Sequence, residues 1–116
     1  MAIINVDIDA AYTPKTEDQD IKVSVMVGDG QKGAYVIFLG KELKGTNTEA
    51  ILGTKADVVG KTTIVVTTII DTLQETNWTS VTVTISEGNL IEKFGPYTRQ
   101  VPQNFDMVIY TLKILH

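Results

Sequence analysis

The chain has 116 residues, no cysteine, a single histidine and a formal net charge of −4. That length fits one domain, residues 1–116, and without thiols it must be held by packing alone, with neither disulfides nor thiolate zinc sites. The acidic balance and the lack of a basic patch argue against nucleic-acid or anionic-membrane partners, and no apolar run approaches the roughly 20 residues of a membrane-spanning helix.

Residues Met1 to Asp7 carry neither the basic stretch nor the continuous apolar core of a secretory signal, so cytoplasmic residence is the default expectation. They open a strand instead, with Ile4, Val6, Ile8 and Ala10 on one side and Asn5, Asp7 and Asp9 on the other. A polar loop from Tyr12 to Asp20 contains Pro14, and a second strand follows with Ile21, Val23, Val25 and Val27 facing in. Gly28 to Gly33 is turn chemistry of the kind that closes tight hairpins. Ala34 to Leu39 forms a third strand, apolar on both faces. After a turn at Gly40 to Gly45, Thr46-Asn47-Thr48-Glu49 has the pattern of a capping box and predicts one helical turn at Ala50-Ile51-Leu52, with a short edge strand as the alternative.

Two threonine-rich, β-branched runs come next, Thr62 to Asp71 and Trp78 to Ser86, and the polar stretch between them predicts an antiparallel hairpin. In the second run Thr79, Val81, Val83 and Ile85 form the inward set. A loop-rich region with a short strand near Leu90 to Lys93 leads to a last strand, Phe105 to Leu115, with Val108, Tyr110, Leu112 and Ile114 inside. The sum is an all-β chain of six to eight strands, a two-sheet antiparallel β-sandwich of immunoglobulin-like or jelly-roll-like architecture.

Motifs that suggest chemistry fail on context. Gly28, Gly30 and Gly33 match the dinucleotide-binding spacing, but a β-forming run follows where a helix is required. Gly60-Lys61-Thr62 lacks the upstream glycine of a phosphate loop and opens a strand. The only histidine, His116, is the last residue, where chains fray, and no cysteine can act as nucleophile. No catalytic residue and no cofactor is therefore expected, although calcium could be held by a convergence of Asp7, Asp9, Asp18 and Asp20, with Asp29 a further candidate.

The functional expectation is a non-catalytic protein interaction or self-assembly module. Trp78, Tyr35, Ile37, Met107 and Ile109 fall on the less expected sides of their strands, and clustered together they would make a second apolar surface that marks an interface. The alternative is a carbohydrate-binding, lectin-like module, with Trp78 and Tyr97 as sugar-stacking aromatics and calcium as a possible aid.

Overall fold

Strands of alternating polarity bury their apolar faces by stacking two sheets. The computed structural model, which describes residues 2–72 and 76–116, does this with nine strands and a single helical turn. The elements are β1 (Ile3–Ala11), β2 (Ile21–Val27), β3 (Lys32–Leu39), β4 (Glu42–Thr46), β5 (Ala50–Gly53), α1 (Lys55–Val58), β6 (Thr62–Ile70), β7 (Trp78–Glu87), β8 (Leu90–Gln100) and β9 (Met107–Leu115).

A five-stranded sheet has the order β1-β9-β6-β3-β4 and a four-stranded sheet the order β5-β2-β7-β8. Every pairing is antiparallel except β1 with β9, which run parallel. Between the sheets, Ile21, Val23, Val83 and Ile85 meet Ile37, Val65, Ile69, Val108 and Leu112, all buried. A polar link crosses this core: Tyr110 Oη lies 2.8 Å from Thr79 Oγ1, which itself donates to the Arg99 carbonyl at 2.8 Å. Tying both hydroxyls to partners offsets the cost of burying them.

Several expectations need correction. β6 and β7 do not form a hairpin. They lie in different sheets, β6 between β9 and β3 and β7 between β2 and β8. The connection between them includes Leu73, Gln74 and Glu75, which lie outside the described residues. Its described ends are strapped by Gln31, whose side-chain carbonyl accepts the Thr72 amide at 2.9 Å and whose Nε2 donates to Asp71 Oδ1 at 2.6 Å and towards the Trp78 carbonyl at 3.3 Å.

The glycine-rich turn likewise carries the chain from one sheet to the other instead of closing a hairpin. Each glycine of its apparent nucleotide-binding motif has a packing or backbone reason. Gly28 donates to the Ser80 carbonyl at 3.0 Å, and a side chain there would collide with the Ser80 hydroxyl. Gly30 has φ of 69°, and a Cβ at Gly33 would come within 3.0 to 3.1 Å of Val27, Ile69 and the Thr68 carbonyl.

Ala50 and Leu52 are both buried, a period of two, so this segment is the edge strand β5 and not a helical turn. The helical turn falls one step later, at α1, where the Asp57 carboxylate accepts the Thr54 amide at 2.9 Å. β8 is long where a short strand is expected. It is an edge strand exposed at nearly every position, so its sequence carries no burial period to read.

Candidate functional site

At the end of the sandwich where β1 finishes, polar side chains gather around Glu87. This carboxylate is buried and accepts hydrogen bonds from the Tyr12 hydroxyl, the Lys15 amide at 3.0 Å, the Thr16 amide at 2.7 Å and the Thr16 hydroxyl at 2.8 Å. Burial alone would raise its pKa. The donors from Tyr12, Thr16 and Lys15 outweigh burial and bring it down to about 2. Burial and the bond to Glu87 push the Tyr12 phenol well above its ordinary value, while the Lys15 ammonium sits 4.3 Å from the Tyr12 ring centroid.

His116 is not frayed. Its Nδ1 lies 2.9 Å from the Tyr12 carbonyl, which can only accept, so Nδ1 carries the proton and Nε2 accepts from the Thr63 hydroxyl at 2.5 Å. Burial lowers the His116 pKa, against the raising effect of the bond to Tyr12. A hydroxyl, an imidazole and a carbonyl in line have the outline of a nucleophile dyad. Thr63 is wholly buried, however, so no substrate could reach its oxygen. The cluster is a clasp that pins the Tyr12 to Asp20 loop and the carboxyl-terminal residue onto the sandwich.

The acidic residues proposed for calcium are separated. Asp7 and Asp9 are exposed on the outer face of β1, Asp18 and Asp20 line a surface hollow with Lys22 and Ser86, and Asp29 sits in the β2–β3 turn at the opposite end of the molecule. Among the described residues, no group of three or more acidic, histidine or cysteine side chains converges. Asp71 Oδ2 is the one buried side-chain polar atom among them without a hydrogen-bond partner. Lys61, at the start of β6, is exposed.

The aromatic pair proposed for sugar stacking is also divided. Trp78 is 46% exposed on the outer face of the four-stranded sheet. Tyr97 is opposite the inward-facing Val81 and packs against the core. Residues paired across strands share a face, so the two rings point to opposite sides of one sheet and make no common platform.

The five residues singled out as a second apolar face fall on three surfaces. Ile37 is 0% exposed, a core residue, and Tyr35 points the same way and packs on the core. Trp78 belongs to the other sheet. Met107 and Ile109 alone point outward from the five-stranded sheet, and they lead to a surface that the alternation did not reveal.

Register places this surface row by row. Ile109 is flanked by Asn5 on β1 and Thr68 on β6, and Thr68 by Ala34 on β3. The next row runs Asp7, Thr111, Val66, Val36 and Thr46, and the one above it Asp9, Lys113, Ile64, Phe38 and Leu43. Met107 and Ile70 close the lower end beside Ile3 and Lys32. Apart from the acidic strand β1 and one lysine at each end, the face is aliphatic, aromatic or threonine. The principal contacts between elements are those within the sheets, those between the sheets and those of α1 with β5, so no described helix or strand packs extensively over it.

Five strands at about 4.8 Å spacing and eight residues at about 3.3 Å give a projected face of about 600 Å². With the acidic β1 row and the two lysines taken out, its apolar and threonine part falls within the roughly 300–600 Å² of the largest patch on a monomer, which is often functional. The outer face of the other sheet is mixed, with Lys22, Ser24, Thr82, Thr84, Ser86 and Lys93 interspersed with the exposed Met26, Ile51, Trp78 and Ile91. Two shallow hollows mark the apolar face, one bounded by Ala34, Val36, Val66 and Thr68, the next by Gly33, Ala34, Thr68 and Ile70.

Comparison with family models, curated proteins and solved structures finds no match for the chain. Among the described residues, no helix is long and apolar enough to cross a membrane.

Proposed function

We propose that this domain is a non-catalytic interaction module that docks on a protein surface through the outer face of its five-stranded sheet. The observation that carries the reading is the makeup of the two outer faces: on the four-stranded sheet hydroxyls and lysines separate the exposed Met26, Ile51, Trp78 and Ile91, whereas on the five-stranded sheet aliphatic side chains and threonines run without a break around Val66. Burial of such a face against a partner returns roughly 25 cal/mol per Å² of apolar area, before the cost of association. The polar clusters at the two ends of the sandwich support the same reading, because their hydrogen bonds are spent on holding loops and termini in place.

The test separates face from core. Ile109→Lys, on the face, should change stability by less than about 1 kcal/mol, as exposed substitutions do, and should remove binding of a hydrophobic fluorescent dye. Ile37→Lys, two strands away in the same sheet but buried, should cost more than about 4 kcal/mol and prevent folding. If Ile109→Lys unfolds the domain as Ile37→Lys does, the outer face is part of the core and the reading is wrong.

A further inference from the structure

We infer that the surface which docks on this face is a second copy of the chain, in a two-fold pair whose axis runs parallel to β6. The inference rests on the docking reading above and adds the partner and the geometry.

Three observations carry it. The first is area. A projected face of about 600 Å², corrugated by side chains, approaches the roughly 800 Å² per partner of a standard stable interface. The second is shape. A two-fold axis along the central strand leaves each row at its own height and exchanges the positions of β9 and β3. Ile109 of one copy then stands over Ala34 of the other, where the small side chain leaves the hollow bounded by Val36, Val66 and Thr68. The same operation sets Thr111 over Val36, and Val66 against its own counterpart. A self-complementary surface of this kind is what an isologous interface requires.

The third observation is charge. Asp7 and Asp9 confine the acidic groups of the face to the β1 rim, whereas on the opposite rim β4 presents Leu43 and Thr46; Glu42 and Lys44, paired at 3.2 Å, turn to the other side of that strand, and Lys41 in the preceding turn is exposed beside it. The strand-parallel axis brings each acidic rim to the other copy's uncharged β4 rim, with Lys41 beside it, and keeps the two acidic rims apart. An axis across the strands would instead lay β1 over β1 and Asp7 against Asp7, a like-charge contact that disfavours association.

The experiment is light scattering after size exclusion over a wide concentration range, on the wild type and on three variants. The wild type should pass from the 12.7 kDa of one chain to twice that mass as concentration rises. Ala34→Ile fills the hollow and should weaken the pair at least tenfold, as should Ile109→Ala, which removes the knob. Combined in one chain, the two changes exchange knob and hollow and should recover most of the lost association. A double variant no better than the weaker single one overturns the proposed axis. A wild type that stays monomeric throughout overturns the second-copy inference; if it also binds the hydrophobic dye and loses that binding on Ile109→Lys, the docking reading survives with another partner. A monomer that binds no dye overturns both.

Discussion

Replacing Glu87 by glutamine should cost the domain about 3 kcal/mol at neutral pH. The carboxylate is 1% exposed and surrounded by donors from Tyr12, Lys15 and Thr16, none of which has water as a substitute once the loop is closed. A fall in pKa from the usual 4.5 to about 2 corresponds to about 3 kcal/mol of preference for the folded state. Glutamine keeps the shape but turns one acceptor into a donor that faces other donors, so that amount is what the substitution removes. Because the folded-state pKa lies below the unfolded one, this stability is fully present above pH 4.5 and is lost as pH falls towards 2. Urea unfolding of the wild type and Glu87→Gln at several pH values is the assay. The midpoint of the variant should lie roughly 1–3 M lower at pH 7, and the two proteins should converge near pH 2. A variant as stable as the wild type at pH 7, or a gap between the two that does not narrow with acid, would refute the account of the cluster.

His116 titrates with the opposite charge but in the same direction of pH. Its folded-state pKa is lowered by burial, so the neutral ring stabilises the fold above its ordinary pKa of 6.5 and that contribution fades as pH falls below it; thermal unfolding of the wild type should show this slope and His116→Gln, which takes up no proton, should lose it. Gly33→Ala should destabilise by about 1–3 kcal/mol, read by urea unfolding, because the added methyl meets Val27, Ile69 and the Thr68 carbonyl at once and none of the three is free to move away.

Period-two alternation is reliable where one face of a strand is polar. In β2, β7 and β9 the inward residues read from the sequence are the buried or partly buried ones, and in β1 Ile4, Val6, Ile8 and Ala10 turn towards the core as their spacing indicates. The alternation has no phase in β3, where Tyr35, Ile37 and Leu39 are as apolar as Ala34, Val36 and Phe38. Hydrophobicity then gives no reason to choose which set is core, and the choice of Ile37 as an interface residue is a one-residue slip with its whole face exchanged. Strand partners are a second blind spot. A short polar linker favours a hairpin locally, yet β6 finds its partners in β3 and β9, which are remote in sequence, so the central position of β6 and the face built around Val66 are invisible until the sheet is assembled. The clasp around Glu87 is equally nonlocal, joining residues about seventy positions apart.

The two threonine-rich strands pose the question that the docking reading answers. β6 and β7 have similar composition, and both turn threonine, valine and isoleucine into the core: Thr63, Val65, Thr67 and Ile69 from one, Thr79, Val81, Val83 and Ile85 from the other. Their outward positions differ. β7 shows Trp78 at its start and then Ser80, Thr82, Thr84 and Ser86, while β6 shows Ile64, Val66 and Ile70 with Thr62 and Thr68. Threonine matches valine and isoleucine in its fit to a pleated strand, so strand formation does not call for aliphatic residues at the outward positions of β6. Core packing does not call for them either, since they point away from it. Hydroxyls like those of β7 suit a face that stays in water, and the aliphatic side chains at the centre of the larger sheet are the ones the proposed pairing would bury.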